Sequence, residues 1–252
     1  MPRQARVIAE SGFYHLILKG NGSWVLFEDS VDMKRFVQQL KKSFDRYETQ
    51  LIAWCLMSNH VHLIICEREG LLAQAMQSLM TAYAHHLNER QGRSGHVFED
   101  RYWRVPIEDD GQLLEAVRYV HNNPEKAGIC DAKDYYWSSY GEYAGMRNAI
   151  KAADTTMILE MLGGPRQFME FCSLRFADTY SPYKGHRIPD DEAVGLATAA
   201  LGGRNPRSIG EGEASERVRD IRALADVGLN KTQITRCTGL GRWTIMKALG
   251  EG

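Results

Sequence analysis

The sequence predicts an α+β protein: a two-layer sandwich on an antiparallel sheet, followed by an all-α C-terminal region. Three observations predict it. Short apolar runs rich in β-branched residues stand at 13–19, 49–56 and 60–66, the pattern of buried strands. Stretches at 31–45 and 71–90 repeat their apolar residues at helical spacing, as helices packing one face do. Beyond about Ala144 the character changes, and helical patterns follow.

The first strand, Phe13 to Lys19, ends at Gly20-Asn21-Gly22. A glycine-flanked turn exposes backbone N–H groups and suits either an ordinary loop or an approach to phosphate. Val31 to Asp45 places Met33, Phe36, Val37, Leu40 and Phe44 on one stripe with Lys and Arg between them, a core-packing helix. Thr49 to Leu56 is the second strand, joined through Ser58-Asn59 to the third, His60 to Cys66. In the helix Leu71 to Arg90 the stripe is Leu72, Met76, Leu79, Tyr83 and Leu87, which leaves His85 and His86 on the surface. Residues 96–108, HVFEDRYWRVPIE, read as a strand dense in rings and arginines. Arg101, Tyr102, Trp103 and Arg104 mix cations with flat rings, as proteins that hold single strands do. An edge strand packing its aromatics onto a helix would read the same way. The order strand–helix–strand–strand–helix–strand is that of a ferredoxin-like (RRM-like) split βαβ sandwich, whose antiparallel sheet can leave one face open for a ligand.

Within the third strand, His60 and His62 share a face while Val61 points the other way. Two neutral imidazoles side by side can grip a divalent cation, although histidines on a solvated sheet face have the same spacing. Further on, a helix starts at Asp109 or Asp110, either of which suits the N-cap, and Pro124 should end it. At roughly 100° per residue, Leu113, Leu114, Val117, Val120 and His121 gather on one side. Tyr119 and Asn123 lie four apart on a different face. A tyrosine used for packing should sit with the leucines, and this one does not.

Composition narrows the classes. The chain has 252 residues, room for one large domain or a main domain with a smaller one. Its 31 Lys+Arg against 32 Asp+Glu give no global basic field, so any nucleic-acid binding has to come from local patches. Cysteines at 55, 66, 130, 172 and 237 form no CxxC pair, which argues against a disulfide framework or a zinc ribbon. The N-terminus lacks an apolar signal core, and no apolar run approaches membrane-spanning length. A cytoplasmic protein with reduced thiols and no membrane partner is expected.

Five stretches taken together resemble one family. They are FYHLILKGNG (13–22), AWCLMSNHVHLII (53–65), GHVFEDRYW (95–103), YVHNNPEKAG (119–128) and YYWSSYGEY (135–143). A His-hydrophobic-His strand followed by a helical tyrosine, with an amide four residues later, resembles the single-tyrosine HUH transposases. The ordered set is similar to their REP-associated tyrosine transposase branch, the IS200-like family. The resemblance implies the same sandwich with the tyrosine helix added beside the sheet. It implies Tyr119 as nucleophile, and His60, His62 and Asn123 as ligands of a divalent metal, Mg²⁺ or Mn²⁺. The reaction implied is cleavage and rejoining of single-stranded DNA at REP-like hairpins through a 5′-phosphotyrosine. Lys19, Asn21, Arg101, Tyr102 and Arg104 are the candidate DNA contacts of this domain. Ser58 stands where the family often has proline, and Lys19 where it often has arginine, which touches substrate sequence rather than chemistry.

The resemblance ends near residue 145, giving an expected catalytic domain at 1–145. A helical connector and linker follows at 146–212, with Met157, Ile158, Met161, Leu162, Phe168 and Phe171 at helical spacing and a Gly-, Arg- and Pro-rich stretch near 202–212. Residues 213–252 then read as three helices, the last two broken at Gly239 like a helix-turn-helix. From 201 onward nine Lys+Arg face six Asp+Glu. Arg242, Trp243, Thr244 and Lys247 fall where a recognition helix would read duplex DNA, while a three-helix structural cap would show the same pattern. The expected assembly is a monomer or homodimer. Two rivals share these features in part: a domesticated, non-catalytic DNA-binding regulator, which needs neither histidines nor tyrosine, and a water-using nuclease, which leaves Tyr119 without a role.

Overall fold

A strand buried at nearly every position must be covered on both faces. β1 (Phe13–Lys19), β2 (Gln50–Leu56) and β3 (His60–Cys66) are buried along almost their whole length. The computed structural model describes residues 9–21, 25–99, 101–174, 180, 182, 188 and 190–250, without the side chains of 191, 192 and 199. Gly22 of the expected turn, Asp100 of the strand-like run and 175–179 of the expected helical stretch lie outside these residues. With β4 (Trp103–Ile107) the strands form one sheet in the order β2-β3-β1-β4, every neighbouring pair antiparallel. β1 therefore runs parallel to β2, and β3 to β4, each pair joined through a helix: the ferredoxin-like arrangement expected.

One face of the sheet carries Tyr14, Leu16, Leu18, Trp54, Val61 and Leu63 and packs against α1 (Ser30–Arg46) and α2 (Leu72–Arg90). Helix α1 starts where the Asp29 carboxylate accepts the amides of Val31 at 2.8 Å and Asp32 at 3.3 Å. It buries Phe36, Val37, Leu40 and Phe44, and α2 buries Leu72, Met76, Leu79, Tyr83 and Leu87, the stripes read from the sequence. His85 is exposed as expected. His86 is not simply a surface residue: its Nε2 lies 3.0 Å from the buried Asp32 carboxylate, which also accepts from Arg90 at 2.6 Å. That clamp ties α1 to α2.

Alternation sends His15, Ile17, Cys55, His60, His62 and Trp103 to the opposite face. The expected open face is absent here. Helix α3 (Asp110–Lys126) lies against it through Tyr119, whose ring meets those of His15 and His62. Asp109 caps this helix, its carboxylate accepting from the Gln112 amide at 2.8 Å. Pro124 does not end it. Proline removes a single ladder bond, its own missing N–H, and the final turn still closes through Ile129 N–H to the Pro124 carbonyl at 2.9 Å.

The outer edge of β2 is covered by the aromatic segment after α3. Leu56 donates its amide to Trp137 at 2.9 Å, and Ser139 donates to Trp54 at 2.9 Å, so 135–139 lies along β2 and blunts its edge. Three helices follow: α4 (Tyr140–Tyr143), α5 (Thr156–Leu162) and α6 (Pro165–Ser173). Phe168 of α6 is fully buried and stacks on Tyr143, ring centroids 4.6 Å apart.

The chain divides into two compact units, Met1–Asn123 with Asp131–Leu174, and Pro124–Cys130 with Arg175–Gly252. The division therefore does not fall at 145 and 212. Residues 156–173 pack into the first unit because Phe168 seats on Tyr143 and His121. The stretch 202–212 is no loose linker in the second, since Pro206–Glu211 is a 3₁₀ turn that buries Pro206 and Ile209. The second unit adds α7 (Asp190–Ala200), which the sequence reading did not single out, and the expected α8 (Ala214–Asp226), α9 (Lys231–Thr238) and α10 (Arg242–Leu249). Asn230 and Gln233 form a reciprocal capping box at the start of α9, and Gly239 at φ 75° ends it, the left-handed turn that favours glycine. Among the described residues no helix is long and apolar enough to cross a membrane, and no two cysteines form a disulfide.

Because Phe168 is a keystone of the first unit, Phe168→Ala should lower that unit's unfolding free energy by about 3–5 kcal/mol. Denaturant unfolding measures this. A cost near zero would mean that 165–173 is only attached to the unit.

Candidate active site

β3 fixes the spacing of the two histidines, and its neighbours decide their surroundings. Ile17 of β1 pairs with His62, and Lys19 pairs with His60, so His15 is a diagonal neighbour of His62 on the same face. His15 Nε2 lies 2.8 Å from His62 Nδ1. His60 Nδ1 lies 2.7 Å from Asn59 Oδ1 in the hairpin turn. The His60 and His62 rings stand 4.9 Å apart, nearly perpendicular. Over them comes Tyr119 from α3, its ring 5.7 Å from His62 and 5.8 Å from His15, edge-on to both.

All of these side chains are buried: His15 and His62 at 0 %, His60 and Tyr119 at 1 %, Asn123 at 2 % exposure. The tyrosine off the leucine stripe thus faces the sheet, not solvent. Asn123 sits one turn further along α3, its Nδ2 donating to the Tyr119 carbonyl at 2.9 Å. With the nitrogen engaged there, Oδ1 is the atom Asn123 could offer a cation. The structure thus brings His60, His62 and Tyr119 together, with Asn123 a helical turn away. It adds His15, which the sequence reading passed over as one residue of an apolar strand.

The donor set fits a divalent cation. An amide oxygen accepts only, so His60 must carry its proton on Nδ1, which puts the lone pair on Nε2, the form a metal ligand needs. Among the described residues no three or more His, Cys, Asp or Glu side chains gather into a metal cage. A cation here would be held by the two imidazoles and an amide oxygen, with positions left for water or phosphate.

The candidate DNA contacts fall in several places. Lys19 pairs with Glu99 at 2.9 Å beside His60, and exposed Asn21 donates to the His96 carbonyl at 3.2 Å. Arg101 is exposed, while Tyr102 packs against the α1–α2 side of the core. Arg104 lies on the face away from the histidines, 3.6 Å above the Tyr14 ring and 3.3 Å from Glu67. Trp103 lies on the histidine face, in one row with Ile17 and His62. Period-two alternation through 103–107 carried that distinction. In the second unit Arg242 is exposed and Lys247 lies 5.1 Å from the ring of Trp243, which is 70 % exposed.

Residues 9–123 match the family described as Transposase IS200 like. Over those residues, a little under half of the chain, the sequence is similar to the IS200-like transposases. A curated relative from Haemophilus influenzae, described as a putative REP-associated tyrosine transposase, is 25 % identical over 120 residues, covering 43 % of this chain and 68 % of its own. A solved REP-associated tyrosine transposase bound to a REP hairpin has the same fold, with TM-score 0.50 and 17 % identity over 62 % of this chain and 93 % of that one. The matched stretch begins just before β1 and closes at Asn123, so it contains the whole histidine–tyrosine cluster.

His121, two residues beyond Tyr119, points the opposite way. It is enclosed by Tyr140, Tyr143 and Phe168, and its Nε2 lies 2.7 Å from Ser139 Oγ. Burial holds its pKa down to about 3. The unfolded chain binds this proton near pH 6.5 and the folded chain does not, so stability is full above that pH and falls as pH drops toward 3. Unfolding free energy should decline by roughly 1 kcal/mol per pH unit below 6 on this group's account. Unfolding curves at pH 7 and 5 for wild type and His121→Gln check it: equal pH slopes would remove His121 from the explanation.

Proposed function

We propose that the IS200-like domain cleaves and rejoins single-stranded DNA at hairpin elements, with Tyr119 as nucleophile. His60, His62 and Asn123 would hold a divalent cation, Mg²⁺ or Mn²⁺. The observation that carries this reading is the Tyr119 ring set edge-on to His62 at 5.7 Å, inside a stretch similar to the IS200-like transposases. The hairpin substrate is supported by the solved relative, which is bound to one.

In this reading the Tyr119 oxygen attacks phosphorus in line and forms a P–O bond as the bond to the 3′ oxygen breaks. The phenol gives up its proton and the departing 3′ oxygen gains one. The products are a 5′-phosphotyrosine and a 3′-OH. One phosphodiester replaces another, so attack by a 3′-OH on the phosphotyrosine reverses the step and joins strands. An unperturbed phenol ionises near pH 10, so its loss of a proton needs positive charge close by. A bound divalent cation supplies that charge and polarises the scissile phosphate. Neutral imidazoles and an amide add no negative charge of their own, so they would hold the cation without offsetting its field on the phosphate. At 1 % exposure Tyr119 is closed over, and a strand reaches it only when the cover moves.

Tyr119→Phe should abolish both nicking and the covalent adduct seen on denaturing gels with labelled hairpin DNA, while strand binding persists. A phenylalanine variant that still nicks would rule out the assignment. His60→Ala or His62→Ala should remove activity, and EDTA should do the same to wild type, with Mn²⁺ restoring it. Cleavage at wild-type rates in chelator by both histidine variants would count decisively against the cation site.

The second unit is proposed to add duplex DNA contacts. Between Val227 and Gly250 stand Lys231, Arg236, Arg242 and Lys247 with no Asp or Glu. Arg242→Ala and Lys247→Ala should each weaken binding and flatten the plot of log affinity against log salt by about 1. Unchanged slopes would make α9 and α10 a structural cap.

A further inference from the structure

We propose that His15 is a positioning residue that fixes His62 as the Nδ1–H tautomer, so that His62 presents its Nε2 lone pair as His60 does. The inference rests on the reading of His60 and His62 as ligands of a divalent cation. A neutral imidazole has one N–H and one lone pair, and a hydrogen bond between two of them needs one donor and one acceptor. His15 Nε2 and His62 Nδ1 are 2.8 Å apart, so one ring donates to the other. If His15 donated, His62 would carry its remaining proton on Nε2 and could not ligate there. With His15 accepting, the two strand histidines become equivalent. His60 gives its Nδ1–H to Asn59 Oδ1, and His62 gives its Nδ1–H to His15 Nε2. A ligating histidine whose other nitrogen donates to a fixed acceptor has both its tautomer and its ring orientation set.

The surroundings make this contact hard to lose. His15 and His62 are both fully buried, and a polar group there that loses its hydrogen bond carries the whole desolvation penalty. The pairing of β1 with β3 fixes the backbone of both residues, and the Tyr119 ring lies edge-on to His15 at 5.8 Å. A buried histidine on an otherwise apolar strand is costly unless it has such a task. Leucine would fill the place and could accept nothing.

The test starts with the full-length wild-type chain, metal-free and labelled with ¹⁵N-histidine. Two-bond ¹H–¹⁵N spectra read each ring's tautomer, with peaks assigned through His15→Gln and His62→Gln. His62 is expected as the Nδ1–H form, matching His60; finding it as the Nε2–H form overturns the proposal. This readout needs neither metal nor activity, and the decisive spectrum is that of the unaltered chain. Calorimetric titration with Mn²⁺ then compares His15→Leu, which cannot accept, with His15→Gln, whose amide oxygen can. Leucine should weaken Mn²⁺ binding about 10- to 100-fold, and glutamine should recover most of it. Equal affinity of the leucine variant and wild type would also overturn the proposal. If His60→Ala and His62→Ala left Mn²⁺ binding intact, the cation site itself would fall, a failure visible separately from the tautomer.

Discussion

β3 is a central strand buried on both faces, and two of its side chains are imidazoles. Burying a polar ring without a partner costs free energy, and a sheet interior offers few partners. The rest of the first unit answers that constraint. Asn59 in the turn takes one ring and His15 on the adjacent strand takes another. Helix α3 closes over His15 and His62 with an aromatic edge. The other face of the same strand makes no such demand. Val61, Leu63 and Ile65 meet α1 and α2 as ordinary core, so one strand separates scaffold from site residue by residue.

Helix α3 repeats the device. Tyr119 and His121 are two residues apart, about 200° around the helix, and face opposite sides. Tyr119 meets the histidine face of the sheet; His121 meets Ser139, Tyr143 and Phe168. The segments after α3 thus hold the back of the helix that carries the candidate nucleophile. That is why residues as far as 174 belong with the sheet, although the family match ends at 123.

Much of this was legible in the sequence, for physical reasons that also explain the gaps. Strands and helices α1 and α2 are strongly periodic, and their buried stripes are those the spacing gives. His60 and His62 were visible because one strand carries both. His15 was not, because its partner lies forty-seven residues away, and only the register of β1 on β3 joins them. Composition also ignores which way a strand residue points; alternation turns Arg104 onto Tyr14 and Glu67 and turns Trp103 to the histidine side. Pro124 misled because a proline in the last turn removes only one bond. Helix α7 went unread because its small residues give little amphipathic signal.

In the first unit many cations near the sheet are already paired: Lys19 with Glu99, Arg90 with Asp29 and Asp32, Arg104 with Glu67, Arg118 with Glu115. These cations thus present mostly balanced charge. From Val227 to Gly250 the balance differs, with four cations and no carboxylate in that stretch. Arg236 is paired with Asp190 from α7, whereas Arg242 and Lys247 stay exposed on the same helix as Trp243. A nearly neutral chain can therefore carry a locally basic stretch in one unit and a low-charge, buried histidine–tyrosine cluster in the other. The local basic charge and the buried cluster thus lie in different parts of the sequence, so each can change without the other.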